Sequence, residues 1–254
     1  MIKRTFLLLP GIGQVKERRL WRSGVLSWEE FEMRDGLDGI SSVKKSAMDR
    51  ELEMAIDCWD QGRTEYFCRL LPSGHHWRMY DRLKESTAYL DIETDGLGPG
   101  TVITMISVHR GGCTTTLTRG IDLEAEKLHQ VLKGTKLMVT FNGSSFDLPM
   151  IEKEFPFTLP KVPHYDLRHA CPKVGLRGGL KQVEVLLGYR RPQEVEYVTG
   201  EEAVYLWHLW ERKGSENALN LLRRYNQEDT KNLEPLAEVV YKRLAEQIDR
   251  ECWE

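Results

Sequence analysis

Asp91 and Glu93 stand two apart in Ala88-Tyr-Leu-Asp-Ile-Glu93, a stretch that reads as a strand ending in polar residues. A strand alternates its side chains, so both carboxylates point to one face. Their neighbours Tyr89 and Leu90 are apolar, and two acids on a buried face repel each other and lose hydration. A divalent cation relieves both penalties, and hard ions such as Mg²⁺ prefer carboxylate oxygens. A lone D-x-E fits a solvated strand end or a turn cap better than a metal site, so other acids must decide. Asp147 follows the strand-like Leu137-Met-Val-Thr-Phe-Asn142 and starts the next helix, where an ordinary first-turn acid would also complement the helix dipole. Tyr225 and Asp229 are i and i+4 in a long helical stretch and share one face. Leu233, Leu236, Val240 and Leu244 continue a similar stripe, which puts Asp229 beside the core, where a carboxylate needs a partner.

These acids need a scaffold, and the pattern supplies an α/β one. Before Ser86 the chain reads as mainly helical, with apolar Leu52, Ile56 and Trp59 near helical spacing and Gly36, Gly39 and Ser41-Ser42 as a break. After Ser86 strands are expected at 88–93, 101–109, 113–118, 136–141 and 164–167, the second and third joined through Gly111-Gly112. Helices are expected at 122–132 with Asp122 as cap, after Ser144 or Ser145, and at 180–187, 201–212 and 218–243. Hairpins followed by alternating helix and strand imply a mixed five-stranded sheet flanked by helices. The expected division is an accessory region at 1–86 and a second domain at 87–250.

The 254 residues carry 36 Lys and Arg against 39 Asp and Glu, a net charge of −3 that weighs against a basic nucleic-acid-coating protein. The charge is uneven, because residues 1–34 hold 7 basic and 4 acidic residues. No apolar run reaches the ~18–20 residues of a membrane span. The five cysteines form no C-x-x-C pair, and with no export signal they point to free thiols in the cytoplasm.

The ordered set Asp91-Ile-Glu93-Thr94, Asn142-x4-Asp147 and Tyr225-x3-Asp229 resembles the three-motif signature of the DEDD exonucleases, proofreading-type 3′–5′ enzymes of ribonuclease H-like fold. Tyr225 places the resemblance in the tyrosine branch, and more narrowly in the ribonuclease H-like domain family of bacteria and archaea. Phe141-Asn142-Gly-x-x-Phe146-Asp147-Leu-Pro, Tyr165-Asp166-Leu-Arg168 and Leu180-Lys181-x-Val-Glu184-x-x-Leu-Gly188 support it. Asp95 departs from it, standing where many members have threonine. The resemblance implies a metal-dependent nuclease, a 3′–5′ exonuclease using two divalent cations, Mg²⁺ or Mn²⁺. Asp91 would bridge both ions, Glu93 and Asp229 would complete the water-activating site, Asp147 would hold the second ion and Tyr225 would orient the water. Thr94, Leu97, Asn142 and Lys181 would touch substrate, a single-stranded 3′ end of DNA or RNA. The alternative is a nuclease-like module that binds nucleic acid or a partner without turnover.

Other features carry less. Asp166 reads equally as an outer-shell acid or a helix cap, and Arg177 with Lys181 flanks a Gly178-Gly179 loop that could meet phosphate. Leu9-Pro-Gly11-Ile-Gly13 before Leu20-Trp21 resembles the hairpin and second helix of a helix-hairpin-helix element, with Lys16, Arg18, Arg19 and Arg22 beside it. A plain glycine turn before an amphipathic helix explains it as well. Trp21, Trp28 and Phe31 read as core, and His75-His76-Trp77 as a surface turn.

Overall fold

The computed structural model describes residues 1–253. The N-terminal region is built of short helices: α1 (Gln14–Arg22), α2 (Trp28–Glu32), α3 (Ser42–Asp60), α4 (Phe67–Leu70) and α5 (Tyr80–Leu83), joined by 3-10 turns. The sheet follows with β1 (Thr87–Thr94), β2 (Ile103–Arg110), β3 (Cys113–Thr118), β4 (Leu137–Thr140) and β5 (His164–Asp166). Between and after the strands come α6 (Ala125–Leu132), α7 (Asp147–Glu154), α8 (Leu167–Ala170), α9 (Leu180–Leu186), α10 (Gly200–Lys213) and α11 (Glu216–Trp253).

The strand order is β3-β2-β1-β4-β5. β1, β2 and β3 are antiparallel neighbours, whereas β4 and β5 run parallel to β1. The expected mixed five-stranded sheet is present, with β1 at its centre. Alternation along β1 sorts its residues. Ala88, Leu90 and Ile92 join Ile106, Val108, Leu128, Leu132, Met138 and Ile151 in one core. The opposite face begins with buried Tyr89 and continues into Asp91 and Glu93, under α11.

α11 runs 38 residues, longer than the expected 218–243, with Pro235 inside. Proline removes an i−4 hydrogen bond. Nearby tyrosines bind this stretch of backbone: Tyr80 Oη donates to the Glu234 carbonyl at 3.4 Å and Tyr165 Oη to the Ala237 carbonyl at 3.3 Å. An apolar stripe of Leu233, Leu236, Ala237, Val240 and Leu244 carries the helix past the proline, because all five are buried in the largest core.

That core crosses Ser86 without interruption, combining Phe6, Trp21, Trp28, Phe31 and Phe67 with Leu137, Val139 and the second half of α11. Trp21, Trp28 and Phe31 are buried as expected. A buried ion pair ties the N-terminal turns together: Arg78 Nη2 donates to Glu17 Oε2 at 3.0 Å, and Glu17 Oε1 accepts from Thr5 Oγ1 and the Phe6 amide. Glu17 therefore occupies its helix position as an anchor.

Four expectations change. Only a three-residue 3-10 turn, Ile2–Arg4, precedes the Gly11–Gly13 hairpin, so the helix-hairpin-helix element is not formed and the plain turn before α1 is. His75-His76-Trp77 is not a surface turn. His76 and Trp77 are buried, and His76 Nδ1 accepts the His164 amide at 3.0 Å, capping the sheet beside β5. α6 begins after Glu124, and Asp122 accepts the Thr118 amide instead of capping it. α7 begins at Asp147, because both polar groups that could have drawn Ser144 into a helix start are engaged with Asp166.

Candidate active site

The α11 face of β1 carries the candidate site. Tyr89 is locked in the core, its hydroxyl 2.8 Å from that of Tyr80, so Asp91 and Glu93 are the residues of this face left at the open end of the strand. The ladder to β2 shifts register between Glu93 and Thr94, which ends the regular pairing just past the two acids. α11 crosses here and presents Asn226 and Asp229. Asn226 Nδ2 donates to Asp91 Oδ2 at 2.7 Å. One oxygen each from Asp91, Glu93 and Asp229 lies within 4.8 Å of the other two. Asp91 and Glu93 are half-buried and Asp229 is buried. Tyr225, one turn earlier on α11, is buried, which raises its phenol, and lies close enough for the Asp229 charge to raise it further.

Asp147 reaches the same place from the other side of β1. It stands outside the tight group of three, yet its charge adds to the repulsion on both Asp91 and Glu93. Its position is set by the turn between β4 and α7. Asn142 there has φ of 74°, in the left-handed region that Asn tolerates better than most residues. A Cβ on Gly143 would come 2.3 Å from Thr140 Oγ1, so only glycine fits. Asp166 on β5 ties the turn down by accepting the Asn142 amide at 2.8 Å, the Ser144 amide at 3.0 Å and Ser144 Oγ at 2.5 Å. It also accepts the Arg168 amide at 3.0 Å, capping α8. Burial pushes the Asp166 carboxyl up, but these donors outweigh it and hold it below its ordinary value.

Sequence reasoning missed Arg191. It lies in the segment after α9, buried, with Nε and Nη2 donating to Glu184 at 2.6 and 2.8 Å. Its Nη1 meets the Asp229 carboxylate. Asn232 Nδ2 also donates to Glu184, at 3.0 Å. Arg191 lies over the Tyr225 ring at 5.8 Å and Lys181 over it at 4.7 Å. The segment 188–195 has neither strand nor helix periodicity, so no spacing rule pointed to its arginine.

The remaining substrate-contact candidates scatter. Lys181 is brought to the acids, and its charge acts on both Glu93 and Asp229. Thr94 is buried and its hydroxyl donates to the Gly96 carbonyl at 2.7 Å. Leu97 is 88% exposed in the turn after β1. Asn142 serves the turn through its backbone.

Desolvation, then the charge of Asp229 and the other acids, pushes Asp91 well above the usual carboxylate range, and Glu93 likewise. Burial raises Asp147 to about 7. Burial also raises Asp229, although Arg191 and Tyr225 oppose it. The donor set fits a hard divalent cation: three carboxylate oxygens converge, and Asn226 Oδ1 is buried beside them without a partner.

A sequence profile of the RNase H superfamily matches residues 88–241. The chain belongs to that superfamily. Among curated proteins, none matches the sequence. The solved structures similar to it include these two. One is the family B DNA polymerase from the hyperthermophilic archaeon Pyrobaculum calidifontis, at 16% identity and a TM-score of 0.48, covering 61% of this chain. This chain spans 24% of that polymerase. The other is the Nibbler EXO domain of Aedes aegypti, at 15% identity and a TM-score of 0.45, covering 67% of this chain and 85% of that one.

The RNase H superfamily member described here should show a pH signature without metal. A carboxyl whose native pKa is raised keeps its proton in the folded state over a range where the unfolded chain has lost it. The folded state then binds more protons, so stability falls as pH rises. The window runs from the ordinary carboxylate value of ~4 to about 7 for Asp147. In chelator, the melting temperature is expected to drop between pH 5 and 8, and saturating Mg²⁺ or Mn²⁺ should reduce the drop. A flat profile in chelator would show that the acids are not forced together.

Proposed function

We propose that this protein is a metal-dependent nuclease of the DEDD tyrosine branch, acting as a 3′–5′ exonuclease on DNA or RNA. The observation that carries the reading is the convergence of Asp91, Glu93 and Asp229 within 4.8 Å, with Tyr225 one turn before Asp229 on the same helix. Two divalent cations held by Asp91, Glu93, Asp229 and Asp147 would supply a nucleophile at neutral pH and charge neutralisation at the phosphate.

The chain's own groups have separable tasks in this reading. Asn226 and Arg191 orient the Asp91 and Asp229 carboxylates. Burial and the nearby acids raise the Tyr225 phenol, so it stays protonated at neutral pH and can donate. Lys181, above the Tyr225 ring, offers a cation toward an incoming phosphate. Asp166 and the Asn142-Gly143 turn fix Asp147 without entering the chemistry. The division at Ser86 belongs to the same proposal, supported by the start of β1 at Thr87 and of the family match at residue 88. Among the described residues no helix is long and apolar enough to cross a membrane.

The test is degradation of 3′- and 5′-labelled DNA and RNA with Mg²⁺ or Mn²⁺. Products shortening from the 3′ end support the reading, whereas metal-independent cleavage overturns it. Tyr225→Phe should lower kcat on the order of 10²-fold with KM little changed, since it removes a donor and leaves the ring under Lys181 and Arg191. A second reading rests on Arg191, a cation already seated on Asp229: a module that holds nucleic acid without turnover. It predicts tight oligonucleotide binding with no cleavage under any divalent metal.

A further inference from the structure

The N-terminal region neutralises most of its cations. Lys3 pairs with Glu29, Arg4 with Asp249, Arg18 with Glu251, Lys45 with Asp49 and Arg78 with Glu17. Seven others are exposed and, among the described residues, have no carboxylate within 4.0 Å; Arg50 and Arg69 lie elsewhere, and Lys16, Arg19, Arg22, Arg34 and Lys44 lie together. These last five line two adjoining cavities, of about 570 and 170 Å³, that share Ile12, Lys16, Gly39 and Ile40. The two form one groove, in which Asp38 is the one lining carboxylate. Lys16, Arg19 and Arg22 rise along α1 at i, i+3 and i+6, a single stripe on one side of the groove. Arg34 and Lys44 come from the segments opposite. Two of the cations are held by backbone carbonyls, Lys16 by Gly11 at 2.9 Å and Arg34 by Gly24 at 3.4 Å. The floor is apolar, with Ile12, Leu20, Leu37 and Met48 buried beneath.

We infer that this groove grips the phosphate backbone of the nucleic acid whose end lies in the carboxylate site; the inference rests on the nuclease reading above. Evenly spaced monoanions are what a phosphodiester chain presents, and a stripe of Lys and Arg matches it through phosphate contacts that carry no sequence preference. The apolar floor accepts sugar and base faces. An extended peptide needs main-chain partners as well, and the groove holds no strand of the sheet. Distance sets the substrate length. α1 meets the end of α11 through Arg18 and Glu251, 22 residues beyond Asp229 in the sequence. At 1.5 Å per residue that is roughly 33 Å along the helix. A duplex rises 3.4 Å per step, so about ten steps separate groove from site. The acids that would bind metal repel a long polyanion beyond the scissile phosphate, and the groove supplies the compensating charge at the far end.

The measurement is anisotropy of labelled 8-mer and 30-mer oligonucleotides, single-stranded and duplex, on the full chain. Asp91→Asn in all samples prevents turnover. Lys16→Gln/Arg19→Gln/Arg22→Gln should weaken 30-mer binding at least tenfold and leave 8-mer binding unchanged. The slope of log Kd against log salt should fall by about 2–3, near one per lost phosphate contact. Lys44→Gln, on another helix, should give a smaller loss of the same kind and guards against a folding defect in α1. Unchanged 30-mer affinity, or equal loss on both lengths, overturns the inference, as does an acidic peptide that binds the groove without displacing the 30-mer. Cleavage by the wild-type chain with groove variants binding normally would remove this inference alone. Groove-dependent binding with no cleavage would remove the nuclease reading alone.

Discussion

Asp91→Asn should abolish turnover and at the same time make the metal-free protein more stable. Both effects follow from one crowded strand face. Asp91 sits within 4.8 Å of carboxylate oxygens from Glu93 and Asp229, with Asp147 adding further repulsion. Asparagine has the same shape, and its oxygen can still accept from Asn226 Nδ2, which lies 2.7 Å from the native carboxylate. The substitution therefore removes a charge and little else. The proposed metal site loses its central anion, and a fall of 10³-fold or more in kcat is expected, equivalent to about 4 kcal/mol of transition-state stabilisation. The folded state loses a like-charge penalty, and at pH 8 in chelator a gain of about 1–2 kcal/mol is expected, in the range of other functional-site relaxations. For a chain of this size that is a rise of roughly 3–6 °C in melting temperature. The gain should shrink toward pH 5, where the acids take up protons in the wild type too. Retained activity would remove Asp91 from the chemistry. A loss of both activity and stability would mean that the residue is structural.

The acids were legible from sequence because regular elements place them. β1 fixes Asp91 and Glu93 on one face by its period of two, and α11 fixes Tyr225 and Asp229 by its period of 3.6. The mixed five-stranded sheet that brings these elements together followed from hairpins and alternating helix and strand, with strand boundaries displaced by one or two residues, whereas the order of its strands comes from the structure. The exception was α11, expected to end at 243, where burial of Leu244, Ile248 and Cys252 carries the helix on to Trp253. Asn142-Gly143 was visible as a motif but its reason was not. The motif serves a left-handed backbone and a missing Cβ, both properties of the turn.

What the sequence hid depends on contacts between distant irregular segments. His76 and Trp77 sit in a 3-10 turn whose burial against β5 has no periodic signal. Glu17 is a carboxylate buried within α1, and only its contacts with Thr5 and with Arg78, 61 residues away, explain it. The near-neutral net charge also concealed the local arrangement. Carboxylates gather beside the first half of α11, and a group of unpaired cations lies around α1, which meets the helix near its C-terminal end.

Arg191→Met is expected to be the most destabilising substitution around the site. Arg191 and Glu184 are both buried and joined by two hydrogen bonds, and the same guanidinium meets Asp229. Removing the cation leaves Glu184 with Asn232 as its remaining donor and takes from Asp229 the largest charge that offsets its burial. Breaking one partner of a buried pair costs about 3–5 kcal/mol, here roughly a 10 °C loss in melting temperature. Replacing both partners is cheaper than replacing one, because Glu184 no longer stays buried as an unpaired charge. Glu184→Gln/Arg191→Met keeps an oxygen for Asn232 and should recover more than half of the single variant's loss. Thermal melts in chelator measure the cycle, and a double variant as unstable as the single would show that Glu184 is not the partner that matters. Divalent metal should separate the two roles of Arg191. In the single variant Lys181 is the protein cation left near Asp229 and a bound dication replaces the lost guanidinium charge, so saturating Mg²⁺ or Mn²⁺ should raise its melting temperature more than that of the wild type. Equal shifts would mean that Arg191 supports the fold through Glu184 and leaves the metal affinity of Asp229 untouched.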